Sequence, residues 1–438
     1  MTQALFDRLD ERSDTPRPGE LAAESPFYLR WLPNDIRSII PTPLMLAVVL
    51  TVMIMPLDFG SVFGLGVPNG SLSNRGWALR VLMAGGPLLF LLNDPGKAFE
   101  RMSRHPIVGF TLALTWSVLT IPWSIEPTLS LVAAVSYAGT LMWVVTAVDR
   151  AGWEAFERAV TAGLLLFVTA ATATDILGIG VVDNPGIASI DFGRLKGVAL
   201  HPNTLGAASA ILVLMSLATI ERKRAVPWLP ILGLPVGAIA LLWTQSRTAL
   251  LGLLIAIAFV LTPRVLRGFL IIAMFGVLVF IAAFGGFESQ TWADLSRSPE
   301  NSAEVSGLSG RPELWGETIR VIEARPVAGY GIGTAPEVYR DSGITERIGW
   351  EPPDAHNEYL QSTVTMGFVG LFFVLWSLIG YWKSTRARPD KWRDGAVVLV
   401  LAGSITESVL LGFLPSITFV IMVAALTSAS NPKEPVRS

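Results

Sequence analysis

LSGRPELWGETIRVIEARPVAGYGIGT, residues 308–334, and WEPPDAHNEYLQ, residues 350–361, are the readable parts of the one long polar interval in an otherwise apolar chain. From Arg311 to about Ala324, the apolar residues Leu314, Trp315, Ile319 and Ile322 recur at helical spacing. Glu313, Glu317, Arg320 and Glu323 mostly take the other side, so the spacing predicts an amphipathic helix. Pro326 ends it, and VAGYGIGT reads as a flexible turn. No strand precedes those glycines and no helix with a downstream acid follows them, which excludes a dinucleotide loop. A second helix is expected to start at Asp354 or Ala355, with His356 in its first turn at the water–lipid boundary. The interval also collects Arg297, Arg311, Arg320, Arg325, Arg340 and Arg347.

Working outward, the 438 residues are 51% hydrophobic and 16% charged, with mean hydropathy +0.53. A soluble domain carries about 25% charged residues, so the composition points to a membrane protein. With 0 cysteines, disulfides, thiolate catalysis and cysteine-based metal or cluster sites are excluded. The 3 histidines, His105, His201 and His356, leave little material for a histidine-rich metal centre. The net charge of −2 carries no information, because charge is segregated by side. Residues 1–38 are mixed in charge and lack the apolar core of a signal peptide; they read as a mostly disordered cytoplasmic tail.

A membrane crossing takes about 20 mainly apolar residues. By that criterion the fold class is an all-α polytopic membrane protein with about twelve spans. They fall near 39–58, 76–93, 106–123, 128–148, 157–178, 204–220, 227–244, 247–263, 267–285, 358–382, 394–412 and 414–430. The positive residues that set orientation lie in alternate loops: Lys97, Arg101 and Arg104; Arg150 and Arg158; Arg222, Lys223 and Arg224; Arg264 and Arg267; and 383–393. That alternation gives an N-in, C-in chain. It is organised as spans 1–9 (39–285), a long periplasmic loop (286–357), spans 10–12 (358–430) and a cytoplasmic tail (431–438).

The arginines that break the inside bias are then informative, because positive charge on the disfavoured side commonly has an anionic partner. Arg80 lies near the outer end of span two, and Arg194 and Lys196 sit in DFGRLKGVALHPNTLG before span six. Arg247, in TQSRTALLG, stands at the outer mouth between spans seven and eight. It is either a snorkelling anchor or a guanidinium that grips a diphosphate. Arg311 either pairs with a carboxylate of the loop or serves the same anion. His356 either caps its helix or acts as a general base, and nearby cations would lower its pKa and keep it neutral. His201 and Asn203 read as a helix start, with Asn203 near the cap. Glu407, inside span eleven, is an intramembrane acid with either a functional or an interhelical role. Asp175 reaches interfacial water.

SRTALLGLL, LSGRPELW, RPVAGYGIGT and HNEYLQSTVTMGFVGL together resemble the O-antigen ligase / polysaccharide polymerase superfamily, and GRLKGVALHPNTLG resembles its loop before a middle span. The resemblance is specific from about Arg194 to Leu371 and looks closer to exopolysaccharide polymerases than to lipopolysaccharide ligases. It implies a GT-C-like architecture in the bacterial inner membrane, with the active site facing the periplasm. The implied activity is metal-independent, inverting glycosyl transfer without a cofactor. The donor would be an undecaprenyl-diphosphate-linked saccharide, and the acceptor a second saccharide or the lipid A core. A chain-length regulator or export proteins would be partners, and nucleic acid would not. Carried onto this sequence, the catalytic residues are His356, Arg247 and Arg311. The second tier for diphosphate or sugar is Arg194, Lys196, Arg80, His201, Asn203, Arg320 and Asn357, and Asp354 or Glu358 would orient the imidazole.

The competing class is a multispanning transporter or a flippase for a lipid-linked saccharide. A transporter tends to show repeated halves and polar groups at the bilayer midplane. Here no half repeats the other, and the unusual charges gather at the outer surface.

Overall fold

The computed structural model describes residues 48, 49, 52, 95–178, 193–199, 201–222, 228–269, 311–412 and 414–430. Within them the chain is helical: α1 (Pro95–Met102), α2 (Val108–Leu119), α3 (Pro127–Ile176), α4 (Pro202–Glu221), α5 (Trp228–Trp243) and α6 (Arg247–Leu261) precede the polar interval. The interval supplies α7 (Arg311–Ala324), α8 (Ala335–Asp341) and α9 (Ile344–Ile348), and α10 (Glu358–Ala387), α11 (Lys391–Gly403) and α12 (Ile417–Ser430) follow. Of the expected spans, 39–58, 76–93 and 267–285 lie almost wholly outside the described residues, as do Arg80, Arg297 and both tails.

Helices α3, α4 and α10 are long and apolar enough to cross a membrane, and α2, α5, α6 and α12 are shorter apolar helices. Ile239, Leu242, Leu254 and Phe372 point outward, exposed among the described residues, as a lipid-facing surface requires. The chain is thus a helical membrane protein. Its helices pack as α4 on α5, α6 on α11, α2 on α10 and α3 on α12. Lipid offers no hydrophobic drive between helices, so close backbone approach and hydrogen bonds hold them together. A Cβ on Gly109 of α2 would stand 2.6 Å from the Phe373 carbonyl of α10, and Ser377 Oγ donates to the Pro106 carbonyl across the same seam.

Expected spans four and five are one 50-residue element, α3, broken only at Gly152 (φ 78°, ψ 164°). Straight, it would measure roughly 75 Å, more than twice a bilayer core. Contacts show that it turns back. Ser130 Oγ donates to the Ile332 carbonyl (3.0 Å) at one end, and Asp175 at the other accepts from the Lys196 and Gly197 amides (3.0 and 2.8 Å). Asp175 therefore holds the 193–199 loop instead of reaching for water.

Residues near Gly152 meet a different set of charges. Arg101 and Arg104 pair with Asp149, Arg222 bridges Glu157 and Asp390 (2.7 Å each), and Lys391 pairs with Glu221. Among the described residues, Arg101, Arg104, Arg222 and Lys391, all expected on one side, thus meet carboxylates at one end of the bundle.

That interval is a small folded unit on the opposite end. Leu314, Val321, Ile322, Val338, Tyr339 and Ile344 form its apolar core, which reaches Val364 of α10. The buried face of α7 is Leu314, Thr318, Val321 and Ile322, so the expected place of Ile319 is corrected: it is exposed, and Val321 takes its part. The passage after Pro326 is not a flexible turn. The Tyr330 and Gly331 amides donate to the Val364 and Thr365 carbonyls (2.9 Å each), and the Phe368 amide donates back to Pro326 (2.8 Å). These bonds replace helical ones where α10 breaks at Gly367 (φ 68°). Backbone meets backbone here, which requires glycine: a Cβ on Gly329 would lie 2.6 Å from the Val364 carbonyl.

Gly329→Ala is expected to cost roughly 2–4 kcal/mol, from the strained positive φ and the overlap together. Gly316→Ala, in the middle of α7 where nothing lies within 4 Å, should instead add about 0.5–1 kcal/mol. Melting of both variants in detergent checks the contrast, and equal melting points would refute the docked-backbone account.

Candidate functional site

Three elements bring their ends to one carboxylate. Helix α10 is capped by Asn357, whose side chain accepts from the Tyr359 and Leu360 amides (3.0 Å each). His356 therefore precedes the helix, at φ 45°, instead of lying in its first turn. Its amide donates to Asp354 Oδ1 (2.7 Å), and Trp315 Nε1 donates to the neighbouring Ala355 carbonyl (3.0 Å). The Trp350 ring lies 5.9 Å from the imidazole.

Helix α11 ends at Gly403, so Glu407 is not inside a span but in the turn that follows it. That turn is tied to the start of α10. The Asn357 side chain donates to Ile405 O (2.9 Å), the Glu358 amide donates to Ser404 O (2.9 Å), and the Glu358 carboxylate accepts from the Leu410 and Leu411 amides. Glu358 is therefore a structural clasp and does not orient the imidazole. The residue on His356 Nδ1 is Glu407, at 3.1 Å, while Asp354 stands at 3.6 Å.

Glu407 Oε1 also accepts from Arg311 Nη2 (2.6 Å) and from Asn203 Nδ2 (2.8 Å). Arg311 opens α7, so the helix N-terminus aims it at the turn. Asn203 is not the cap of α4: His201 is, accepting the Asn203 amide on Nδ1 (3.0 Å), with Pro202 at the first helical position. Asn203 is thereby free to bridge Glu407 to Arg194, whose Nη2 donates to Asn203 Oδ1 (2.8 Å) and whose Nε donates to the Thr244 carbonyl (2.9 Å). Arg194 is buried, a tie between loop and helix end.

The remaining expected residues are placed as follows. Arg247 is exposed at the first turn of α6, next to Thr248, whose hydroxyl meets that of Thr406 (3.1 Å), the neighbour of Glu407. Close packing of Gly206 on Ser246 brings α4 to this end of α6. Lys196 is half-buried in the loop held by Asp175. Arg320 is exposed and paired with Glu317 (2.6 Å), outside the cluster. Asn357 is a helix cap and Arg80 lies outside the described residues.

Charge at the cluster is set by this geometry. For His356, burial works to lower the pKa, but Asp354 and the hydrogen bond and charge of Glu407 outweigh it and Arg311, and the pKa is raised. Sequence reasoning expected cations to lower it; Asp354, two residues away, and Glu407, from a remote turn, reverse the sign. Burial alone would raise the Glu407 carboxyl. Its bond to His356 and the charge of Arg311 bring it down to about 2. By linkage, the raised His356 contributes stability that is complete below about pH 6.5 and lost as pH rises through its folded value. The lowered Glu407 contributes stability present above about pH 4.5 and lost as pH falls toward 2.

Chemically, Nδ1 engaged by a carboxylate leaves imidazole Nε2 as the basic edge. Arg311 spends one N–H on Glu407, and no other protein acceptor meets it among the described residues, so further donors remain for an anion.

A helical membrane protein with a folded loop that delivers an arginine and a histidine to one carboxylate is the class this geometry defines. Residues 231–375, about a third of the chain, match the family model described as O-Antigen ligase, and this match supports the O-antigen ligase / polysaccharide polymerase superfamily. No curated protein matches the chain. The family carries a coarse assignment: glycosyl transfer, as ligase or polymerase, on lipid-linked saccharide in a membrane. The matched segment contains Arg247, Arg311 and His356; Arg194, Asn203 and Glu407 lie outside it.

With only 3 histidines, imidazole NMR on histidine-labelled protein can follow His356 alone. Its midpoint is expected above 6.5 in the wild type and lower in Glu407→Gln, since the raising charge and bond are gone. A wild-type midpoint at or below 6.5 would overturn the assignment.

Proposed function

We propose that the chain is a metal-independent, inverting glycosyltransferase working on an undecaprenyl-diphosphate-linked saccharide at the periplasmic face of a bacterial inner membrane. The observation that supports it most is the meeting of Asn203, Arg311 and His356, from segments far apart in the sequence, on Glu407. In this reading the polar interval faces the periplasm, and the end carrying Arg101, Arg222 and Lys391 faces the cytoplasm.

The acceptor hydroxyl gives its proton to His356 Nε2 as its oxygen attacks the anomeric carbon from the face opposite the diphosphate. The bond from that carbon to the diphosphate oxygen breaks, and its electrons leave with the diphosphate. Arg311 and Arg247 meet the charge that develops there. Glu407 stabilises the imidazolium formed in the step and holds the tautomer that keeps Nε2 basic. Because the pKa of His356 is raised, the acidic limb of the rate profile should lie above pH 6.5. The exopolysaccharide-polymerase reading of the subtype makes the acceptor a second lipid-linked repeat unit. The loop parts near 286–308, outside the described residues, and 334–352 would select it.

The test is purified protein in detergent with chelator and undecaprenyl-diphosphate-linked repeat units as sole substrate, the products being resolved by size. Wild type should give a ladder. His356→Ala should lose about 10²–10⁴-fold in rate, and Arg311→Gln about 10²-fold or more. Transfer seen only after lipid A core is supplied would make the protein a ligase. Full activity in His356→Ala would remove the general base, and no diphosphate release with any acceptor would favour a transporter.

A further inference from the structure

Five arginines lie between residues 311 and 356, and four of them meet a carboxylate. Arg311 meets Glu407, Arg320 and Arg347 share Glu317, and Arg340 meets Glu351. Arg325 meets none among the described residues. Its guanidinium lies 4.7 Å over the Tyr330 ring and gives one hydrogen bond, 3.3 Å, to the Trp123 carbonyl. A shallow, open cavity of about 340 Å³ lies beside it, lined by Trp123, Arg325 and residues 326–329. Its lining segment is tied to α10 at Pro326, which accepts from the Phe368 amide, and just beyond Gly329, where the Tyr330 and Gly331 amides donate to Val364 and Thr365.

Val327 of the lining is exposed, as are Leu119 at the end of α2 and, on α10, Phe372 and Phe368, whose amide is bonded to Pro326. Leu119 and Phe372 belong to apolar helices, and their exposure is that of residues facing lipid. Trp123 is of the residue type that settles at that boundary. An exposed cation that meets no carboxylate among the described residues, held against a ring and a carbonyl near exposed apolar side chains, suits an anion that itself belongs to a lipid. An interfacial anchor would also place an arginine here, but it requires neither a cavity nor a fixed guanidinium.

We propose that the Arg325 cavity binds the phosphate group of a lipid in the leaflet that the 311–356 unit faces. It is separate from the Glu407 cluster. Arg311 and Arg325 flank the two ends of α7, whose 14 residues measure roughly 20 Å. Two sources carry that phosphate: a bilayer phospholipid, or the diphosphate of a lipid-linked acceptor whose saccharide extends toward His356. The second source rests on the glycosyl-transfer reading above, and the site itself does not.

Native mass spectrometry of the full-length protein in detergent tests it, with undecaprenyl diphosphate, phosphatidylglycerol and phosphatidylcholine as separate probes. Wild type, Arg325→Gln and Arg311→Gln are compared after matching their melting points and gel-filtration profiles. Arg325→Gln should lose one bound lipid phosphate, with affinity down about tenfold or more for the loss of a charge-assisted contact. Loss of phosphatidylglycerol together with undecaprenyl diphosphate supports the site and names a phospholipid as its source. Loss of undecaprenyl diphosphate alone, with a raised KM for the lipid-linked acceptor at unchanged kcat, supports it and names the acceptor. Unchanged retention of both probes overturns it and leaves Arg325 an anchor. Unchanged undecaprenyl diphosphate binding in Arg311→Gln would count against the catalytic reading alone.

Discussion

A carboxylate taken out of water is tolerable only where charge and hydrogen bonds replace its hydration. Glu407 meets that requirement by accepting from Asn203, Arg311 and His356 at once. Each donor comes from a different part of the chain: the start of α4, the start of α7 and the residue before the cap of α10. Losing any one of them would leave a half-buried charge poorly matched. The arrangement therefore couples the folding of the loop unit to the packing of the spanning helices.

The turn that carries Glu407 is positioned by a second layer of bonds with no charge partner of its own. Glu358 receives the Leu410 and Leu411 amides, and Asn357 caps α10 while holding Ile405. One tripeptide, His356-Asn357-Glu358, thus supplies an imidazole, a helix cap and a clasp. The opposite end of the bundle is arranged on the same electrostatic logic. There Arg222 joins Glu157 to Asp390, tying α3 and α4 to the start of α11. Charge is thereby neutralised at both ends of the helices, and the apolar lengths between them are left to packing.

Much of this was legible along the chain. Apolar runs located the helices, and Pro326 and the i, i+4 spacing from Leu314 to Thr318 and Ile322 delimit α7 well. Local signals failed where the answer lay across space. Gly152 looked like part of a loop because charges flank it, yet hydrogen bonding continues on both sides of a single turned residue. VAGYGIGT read as a turn because glycine is permissive; Gly329 serves instead to let two backbones touch, and Gly331 leaves room for the Ser124 and Ser130 side chains. Asn203 read as a cap because of its type, and His201 occupies that place while Asn203 faces the carboxylate. The pKa shift of His356 was given the wrong sign: the arginines of the interval were weighed, while Asp354 two residues away and Glu407, 51 residues away, outweigh them.

The sequence by itself determined a helical membrane protein with charge sorted to alternate loops, one polar unit between apolar runs, and His356 and Arg311 as its notable side chains. Those features follow from hydrophobicity, helical periodicity and turn chemistry, which act within a few residues of one another. Only the tertiary structure decided that Glu407 is the common partner, that Glu358 is a clasp, and that Arg325 alone among the described loop arginines is left without a carboxylate. These are matters of which distant groups come within hydrogen-bond reach, roughly 3 Å, and no local pattern encodes that distance.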